Sequence, residues 1–219
     1  MIRDPSVTKV QAIRWMLGAL NGSEGPVSTR RAQGWCVRME TAGLIERRQM
    51  GGAGGSVVWA TYAGAGRSRP DLLRQTTRHE IAVSTASARY AVAGYAWQRD
   101  ERAQLSGDHQ ADGIALGSEW TELIEVELTA KRPTRYAAIF RAYRRRLERE
   151  ASQVTYLCTP EAARAVSGAL SELRDGRAVA PQMRVHEVFD RAAWWAGETL
   201  PDWLVPVEGR AAAAVPGPE

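Results

Sequence analysis

Three carboxylates and one lysine crowd into a short stretch of this chain: Asp112, Glu125, Glu127 and Lys131. In Ile124-Glu125-Val126-Glu127-Leu128 the acids alternate with apolar residues. An extended backbone therefore puts both glutamates on one face and Val126 on the other. Asp112 sits in an earlier run, Gln110-Ala111-Asp112-Gly113-Ile114. A turn at Gly117-Ser118-Glu119-Trp120 would pair the two runs antiparallel and bring Asp112 beside the glutamates. Carboxylates so close repel one another unless a hard cation sits among them. Magnesium or manganese would suit such oxygen ligands, orient a water and stabilise a phosphodiester transition state. Lys131, four residues after Glu127, adds a compact charge with a tunable pKa. The competing reading of Glu125 and Glu127 is the solvated face of an amphipathic strand.

Arginine supplies a different chemistry. Of the 29 basic residues, all but Lys9 and Lys131 are arginine, and the net charge is +4 with a pI of 9.4. One group comprises Arg30, Arg31, Gln33 and Arg38, with Arg47 and Arg48 soon after. These side chains suit phosphates and guanine edges in a major groove. A second group, Arg132, Arg135, Arg141, Arg144, Arg145, Arg146 and Arg149, has Glu148 as its only interspersed acid. On a helix, 141, 145 and 149 share one face and 144 lies adjacent, while Ile139, Phe140, Tyr143 and Leu147 face a core. Solvated helices usually mix signs, so this stripe reads as a phosphate-tracking surface.

The elements that must hold these residues follow from periodicity. Val7, Val10, Ile13, Met16, Leu17 and Leu20 have helical spacing. After the loop at 21–26, Ser28 is a suitable N-cap for a helix through Ala42, stopped by Gly43. Residues 44–50 and 56–62 read as strands around the glycine tip 51–55. Helix, Gly-Leu-Ile, strand, glycine tip, strand is the order of a winged helix, here with two helices before the wing instead of the usual three. Residues 63–70 make the best linker. Beyond it, 71–95 reads as a long helix, 95–102, 110–116 and 121–129 as strands, and 133–151 as a helix opened by Pro133. A strand at 153–158, a helix at 160–173 and a strand at 183–189 complete the series. That α-β-β-β-α-β-α-β order is the order of the restriction-endonuclease-like fold. The expected architecture is α+β or α/β: a winged helix at 1–66, the nuclease-like domain at 71–190 and a Trp/Ala-rich tail at 191–219, its last ten residues loose.

The stretch Arg78-His79-Glu80-Ile81-Ala82-Val83, then Gln110-Ala111-Asp112-Gly113, then Glu125-Val126-Glu127-Leu128-Thr129-Ala130-Lys131 with Tyr136 and Tyr143, resembles the replication-relaxation proteins of plasmids and other mobile elements. The resemblance spans roughly residues 7–160. It implies a winged helix ahead of a nuclease-like domain, and a site at Asp112, Glu125, Glu127 and Lys131 with His79 and Glu80 as accessories. It also implies DNA handling in replication or maintenance. The working nuclease motif ends acid-x-Lys, and here Glu127 occupies the lysine's place. His109 reads as loop surface, and His186 as a strand residue.

Composition narrows the setting. The hydrophobic content of 44% and charged content of 25% are those of a globular protein. No apolar run reaches the length of a membrane span, and Met1-Ile2-Arg3-Asp4-Pro5 is no secretory leader. Cys36 and Cys158 make neither a disulfide framework nor a metal pair, so a cytoplasmic setting is expected. Three functions then compete. The first is a non-enzymatic duplex-DNA-binding protein of a mobile element. The second is a magnesium- or manganese-dependent nuclease or nickase. The third is an adaptor recruiting replication or packaging proteins through Trp194, Trp195 and Trp203.

Overall fold

The apolar spacing near the start of the chain resolves into a short strand, β1 (Thr8–Lys9), and a helix, α1 (Val10–Leu20). The computed structural model describes residues 7–49, 55–66, 69–72, 74–100, 109–117, 120–149 and 151–204. The glycine tip at 51–54 and the last ten residues lie outside these. Helix α2 (Thr29–Thr41) starts where Ser28 accepts a hydrogen bond from the Arg31 N–H at 3.3 Å. It ends at Gly43, whose φ of 71° lets Leu44 N–H reach back to the Met39 carbonyl at 3.0 Å. Strands β2 (Ile45–Gln49) and β3 (Ser56–Ala60) pair antiparallel, and β1 joins them in the order β1-β3-β2. Tyr62, expected to end a strand, and residues 63–65, expected as linker, form one helical turn, α3 (Tyr62–Ala65).

The largest departure from expectation is α4 (Gln75–Val92). Sequence order assigns it to the second domain, but by its contacts it belongs to the first unit, residues 1–96 and 198–219. The physical reason lies in its composition. Every residue from Ile81 to Tyr90 is buried. Most of these side chains are small, so a neighbouring helix can approach closely on several sides. Ala88 packs against Ala12 and Trp15 of α1, and Ile81 joins Val7, Val57 and Trp59. Arg89 is buried with its guanidinium 4.8 Å from the Trp15 ring centre and Nη1 donating to the Thr85 carbonyl at 3.2 Å. Two helices precede the hairpin, as expected, and the long helix α4 follows it in the chain.

Gly18 shows how tightly α1 meets the following loop. A Cβ there would lie 2.1 Å from the Gly25 carbonyl oxygen, which is backbone and cannot swing aside. Gly18→Ala is therefore expected to cost about 1–3 kcal/mol through forced displacement of the loop. Urea unfolding reads this directly. An unchanged midpoint would mean that the loop yields freely.

The second unit, residues 97–197, is built on a five-stranded sheet in the order β4-β5-β6-β7-β8. The strands are β4 (Ala96–Gln98), β5 (Gly113–Leu116), β6 (Thr121–Glu127), β7 (Gln153–Cys158) and β8 (Met183–Glu187). β5 and β6 are antiparallel, closed by Gly117 N–H to the Trp120 carbonyl. β6, β7 and β8 run parallel, which requires crossovers. Helix α5 (Pro133–Arg149) supplies the first, and α6 (Pro160–Glu172) with α7 (Arg174–Val179) and a short 3-10 turn supplies the second. Leu123, Val154 and Tyr156 of the sheet meet Tyr136, Phe140 and Tyr143 of α5 and Val166 of α6 in one core. Phe189 and Trp195 form a bridge and an edge-to-face ring pair at 5.5 Å, so this tail tryptophan is buried with the second unit. The described tail residues 198–204 group with the first unit. The chain is thus α+β with two sheets. No helix among the described residues is long and apolar enough to cross a membrane.

Candidate functional site

Alternation along β6 places Glu125 and Glu127 on one face, as expected, but that face is not solvated. It is the core face, shared with Leu123 and covered by α5, and the two glutamates are only 5% and 4% exposed. The amphipathic-strand reading fails for this reason. Register places Glu125 opposite Tyr156 and Glu127 opposite Cys158. Asp112 lies just before β5, its N–H donating to the Ile124 carbonyl at 2.9 Å. Its Oδ2 accepts from the Val126 N–H at 2.8 Å, which fixes the carboxylate to the backbone of β6.

Each glutamate has a donor of its own. The Tyr143 hydroxyl, reaching down from α5, donates to Glu125 Oε1. His109 Nε2 stands 3.0 Å from the same oxygen, close enough for an ion pair when the imidazole is protonated, though off-line for a hydrogen bond. Its ring meets Tyr143 edge-on at 5.4 Å. The Lys131 ammonium donates to Glu127 Oε2, so the lysine does fold back from beyond the strand end. The Tyr156 hydroxyl, buried beside the glutamates, has no protein partner among the described residues.

The metal expectation for Asp112, Glu125 and Glu127 meets a different geometry. Among the described residues no three His, Cys, Asp or Glu side chains are grouped so as to hold a metal ion. One oxygen of each acid is already engaged by the chain: a backbone N–H for Asp112, a phenol for Glu125 and an ammonium for Glu127. As arranged, the residues do not fit a shared magnesium or manganese.

A second ion pair braces this site. Asp100 Oδ2 lies 2.5 Å from Arg146 Nη1, and Arg146 Nη2 donates to Oδ1 at 3.2 Å, with both side chains buried. Arg146 also donates to the His109 carbonyl at 3.0 Å, and Asp100 accepts the Ala111 N–H at 2.7 Å. One arginine of the expected phosphate stripe is thereby an internal strut that holds the segment carrying His109 and Asp112.

Burial sets the electrostatics. It holds the Glu127 carboxyl above its ordinary value; Lys131 opposes the rise, and the Glu125 and Asp112 charges add to it. Burial, reinforced by the Glu125 charge, keeps the Tyr143 and Tyr156 phenols well above theirs. Burial also pushes Tyr136 up to about 12 and raises the Cys158 thiol, next to which lies Glu127. Because the folded state holds the Glu127 proton more tightly than the unfolded chain, its contribution is fully present below the ordinary value of 4.5. It fades as pH rises through the higher folded value. Glu127→Gln should therefore flatten the decline in stability above that pH. Urea midpoints measured across the acid-to-neutral range check this, and parallel profiles for the two proteins would refute it.

The arginines divide between solvent and structure. On α2, Ala32 and Cys36 face inward, while Arg30, Arg31, Gln33 and Arg38 are exposed. Arg31 Nη2 lies 3.5 Å from Asn21 Oδ1. Arg47 is half-buried and paired with Glu40 at 3.0 Å, whereas Arg48 is exposed. On α5, Tyr136, Ile139, Phe140, Tyr143 and Leu147 are buried; Arg135, Arg141, Arg144 and Arg149 are exposed, as is Arg132 just before the helix, and Arg145 is half-exposed. Arg141 lies 3.4 Å from Asp175, and Arg144 lies 3.9 Å from Glu148.

Other expected residues land elsewhere. His79 and Glu80 are half-buried on α4 in the first unit, whereas the acids belong to the second. His186, on β8, is half-buried, and burial with nearby Arg184 lowers its pKa. Trp194 and Trp203 are half-buried. Sequence reasoning missed three participants: His109, Asp100 and Arg146. Only the acid spacing was visible along the chain. One usable signal for Arg146 was its helical position, since it falls on the turn between Tyr143 and Leu147 and so on the buried side.

Neither a family of known proteins, nor a curated protein, nor a solved structure matches this chain.

Proposed function

We propose that the chain is a duplex-DNA-binding protein of a mobile element, acting in replication, maintenance or regulation. In this reading the first unit is a winged-helix module with α2 entering a major groove and β2 and β3 as the wing. The second unit is a restriction-endonuclease-like domain that grips phosphates without cutting them. The observation that carries the reading is the solvent face of α2, where Arg30, Arg31 and Arg38 flank Gln33 ahead of a hairpin bearing exposed Arg48. The α5 arginine face gives the second unit a polyanion surface of its own. The engagement of Asp112, Glu125 and Glu127 by donors within the chain favours binding over hydrolysis. The order of motifs resembling replication-relaxation proteins supports a role in mobile-element replication, with replication proteins as further partners.

Binding of the full chain to duplex DNA, measured over a range of salt concentrations, tests the proposal. A steep fall of affinity with salt is expected. The joint change Arg30→Ala with Arg31→Ala should shrink the log–log slope by about 1.8, from two lost phosphate contacts. Affinity that ignores salt, or no binding at all, removes the proposal. Cleavage of plasmid DNA that requires magnesium or manganese and disappears in Asp112→Ala would instead make the second unit an active nuclease.

A further inference from the structure

The fold order and the acid spacing lead one to expect a divalent cation among Asp112, Glu125 and Glu127, yet Glu127 already meets the ammonium of Lys131. We propose that Lys131 is the resident cation of this carboxylate cluster, an ammonium held where a metal-dependent site would place its ion.

Several features hold the lysine in place. Its ammonium contacts Glu127 directly, across a turn that is not helical. The turn is tied down at its centre, because the Lys131 backbone N–H donates to the Tyr136 hydroxyl at 3.1 Å, and Tyr136 is buried in the α5 core. At its start, the Leu128 carbonyl accepts from the Thr159 hydroxyl at 3.2 Å, and Thr159 N–H reaches the Glu127 carbonyl at 3.2 Å. Pro133 then opens α5 immediately beyond. The lysine is thus fixed from both sides by β7–α6 and by α5.

Residue choice points the same way. This chain uses arginine for 27 of its 29 basic residues, leaving only Lys9 and Lys131. A guanidinium is planar and wide, whereas an ammonium is a compact point charge that can approach a buried carboxylate from one direction, as a metal ion does. Glu127 is 4% exposed, so without a counter-charge its ionised form would be costly to bury. Glu125 accepts from the Tyr143 phenol, with His109 Nε2 3.0 Å away, and Asp112 accepts from the Val126 N–H. Lys131 thus brings a permanent positive charge into direct contact with Glu127.

The inference concerns the second unit alone and stands or falls apart from DNA binding. Its test is manganese binding to the full chain, followed through the electron paramagnetic resonance signal of the free ion. The wild-type protein is expected to show no saturable site below about 1 mM. Lys131→Ala should gain one site at least roughly tenfold tighter than that. Adding Glu127→Gln to Lys131→Ala should abolish the gained site. Circular dichroism verifies folding; should Lys131→Ala not fold, Lys131→Gln keeps most of the side-chain length while removing the charge. Saturable manganese binding by the wild-type protein that Glu127→Gln removes would overturn the proposal. So would the failure of a folded lysine variant to gain a site.

Discussion

Arg146→Ala is expected to cost the second unit about 3–5 kcal/mol, the range for breaking a buried ion pair by removing one partner. The loss exceeds that of an ordinary arginine because three groups are orphaned together. The Asp100 carboxyl loses its guanidinium partner in a site 8% exposed. The His109 carbonyl loses its donor. The segment carrying Asp112 loses the strut that ties it to α5. Replacing both partners with apolar residues, Asp100→Leu with Arg146→Met, should recover part of the loss. Recovery should be incomplete, because Asp100 also accepts the Ala111 N–H. Urea unfolding followed by circular dichroism measures both variants. A cost for Arg146→Ala within about 0.5 kcal/mol, typical of surface substitutions, would show that the pair braces nothing.

Its helical neighbours should behave in the opposite way. Changing Arg141, Arg144, Arg145 and Arg149 to alanine together is expected to leave the fold intact and to weaken duplex binding about 4,000-fold near 0.1 M salt. The magnitude follows from counterion release at about 0.9 ions per phosphate contact: four lost contacts remove about 3.6 from the salt slope. These side chains lie on the exposed side of α5, and the ion pairs of Arg141 with Asp175 and of Arg144 with Glu148 are surface pairs of little worth to stability. Direct titration of labelled duplex at several salt concentrations decides the matter. Unchanged affinity and slope would reduce this face to a solubilising surface and leave any binding to α2. A contrast with Arg146, adjacent in sequence but buried, would separate structure from recognition within a single helix.

Local patterns made most of the secondary structure legible. The Ser28 cap, the left-handed Gly43, Pro133 and Pro160 at helix starts, and the alternation of β6 all act within a few residues, so their physics is written in the chain itself. The strand Gln153–Cys158 matches its expected bounds, and the inward and outward sides of α5 follow from spacing alone. The helix Arg174–Val179 was not anticipated, because its six residues include Gly176 and show no amphipathic period. Gly176 is needed there for packing, since a Cβ would lie 2.4 Å from the Ala169 carbonyl oxygen.

What the chain determined by itself was which residues can carry charge on which face: acids alternating on one strand, arginines recurring on one helix. Tertiary structure alone decided which way those faces point and what they meet. It turned the acid face inward under Tyr143 and Tyr136, and folded Lys131 back to Glu127. It also matched Arg146 with Asp100 and moved α4 into the first unit. The reason is physical. Periodicity records an angle around a helix or strand axis, which is local. Burial and ion pairing depend on elements tens of residues apart meeting in space, and spacing along the backbone carries no term for that meeting.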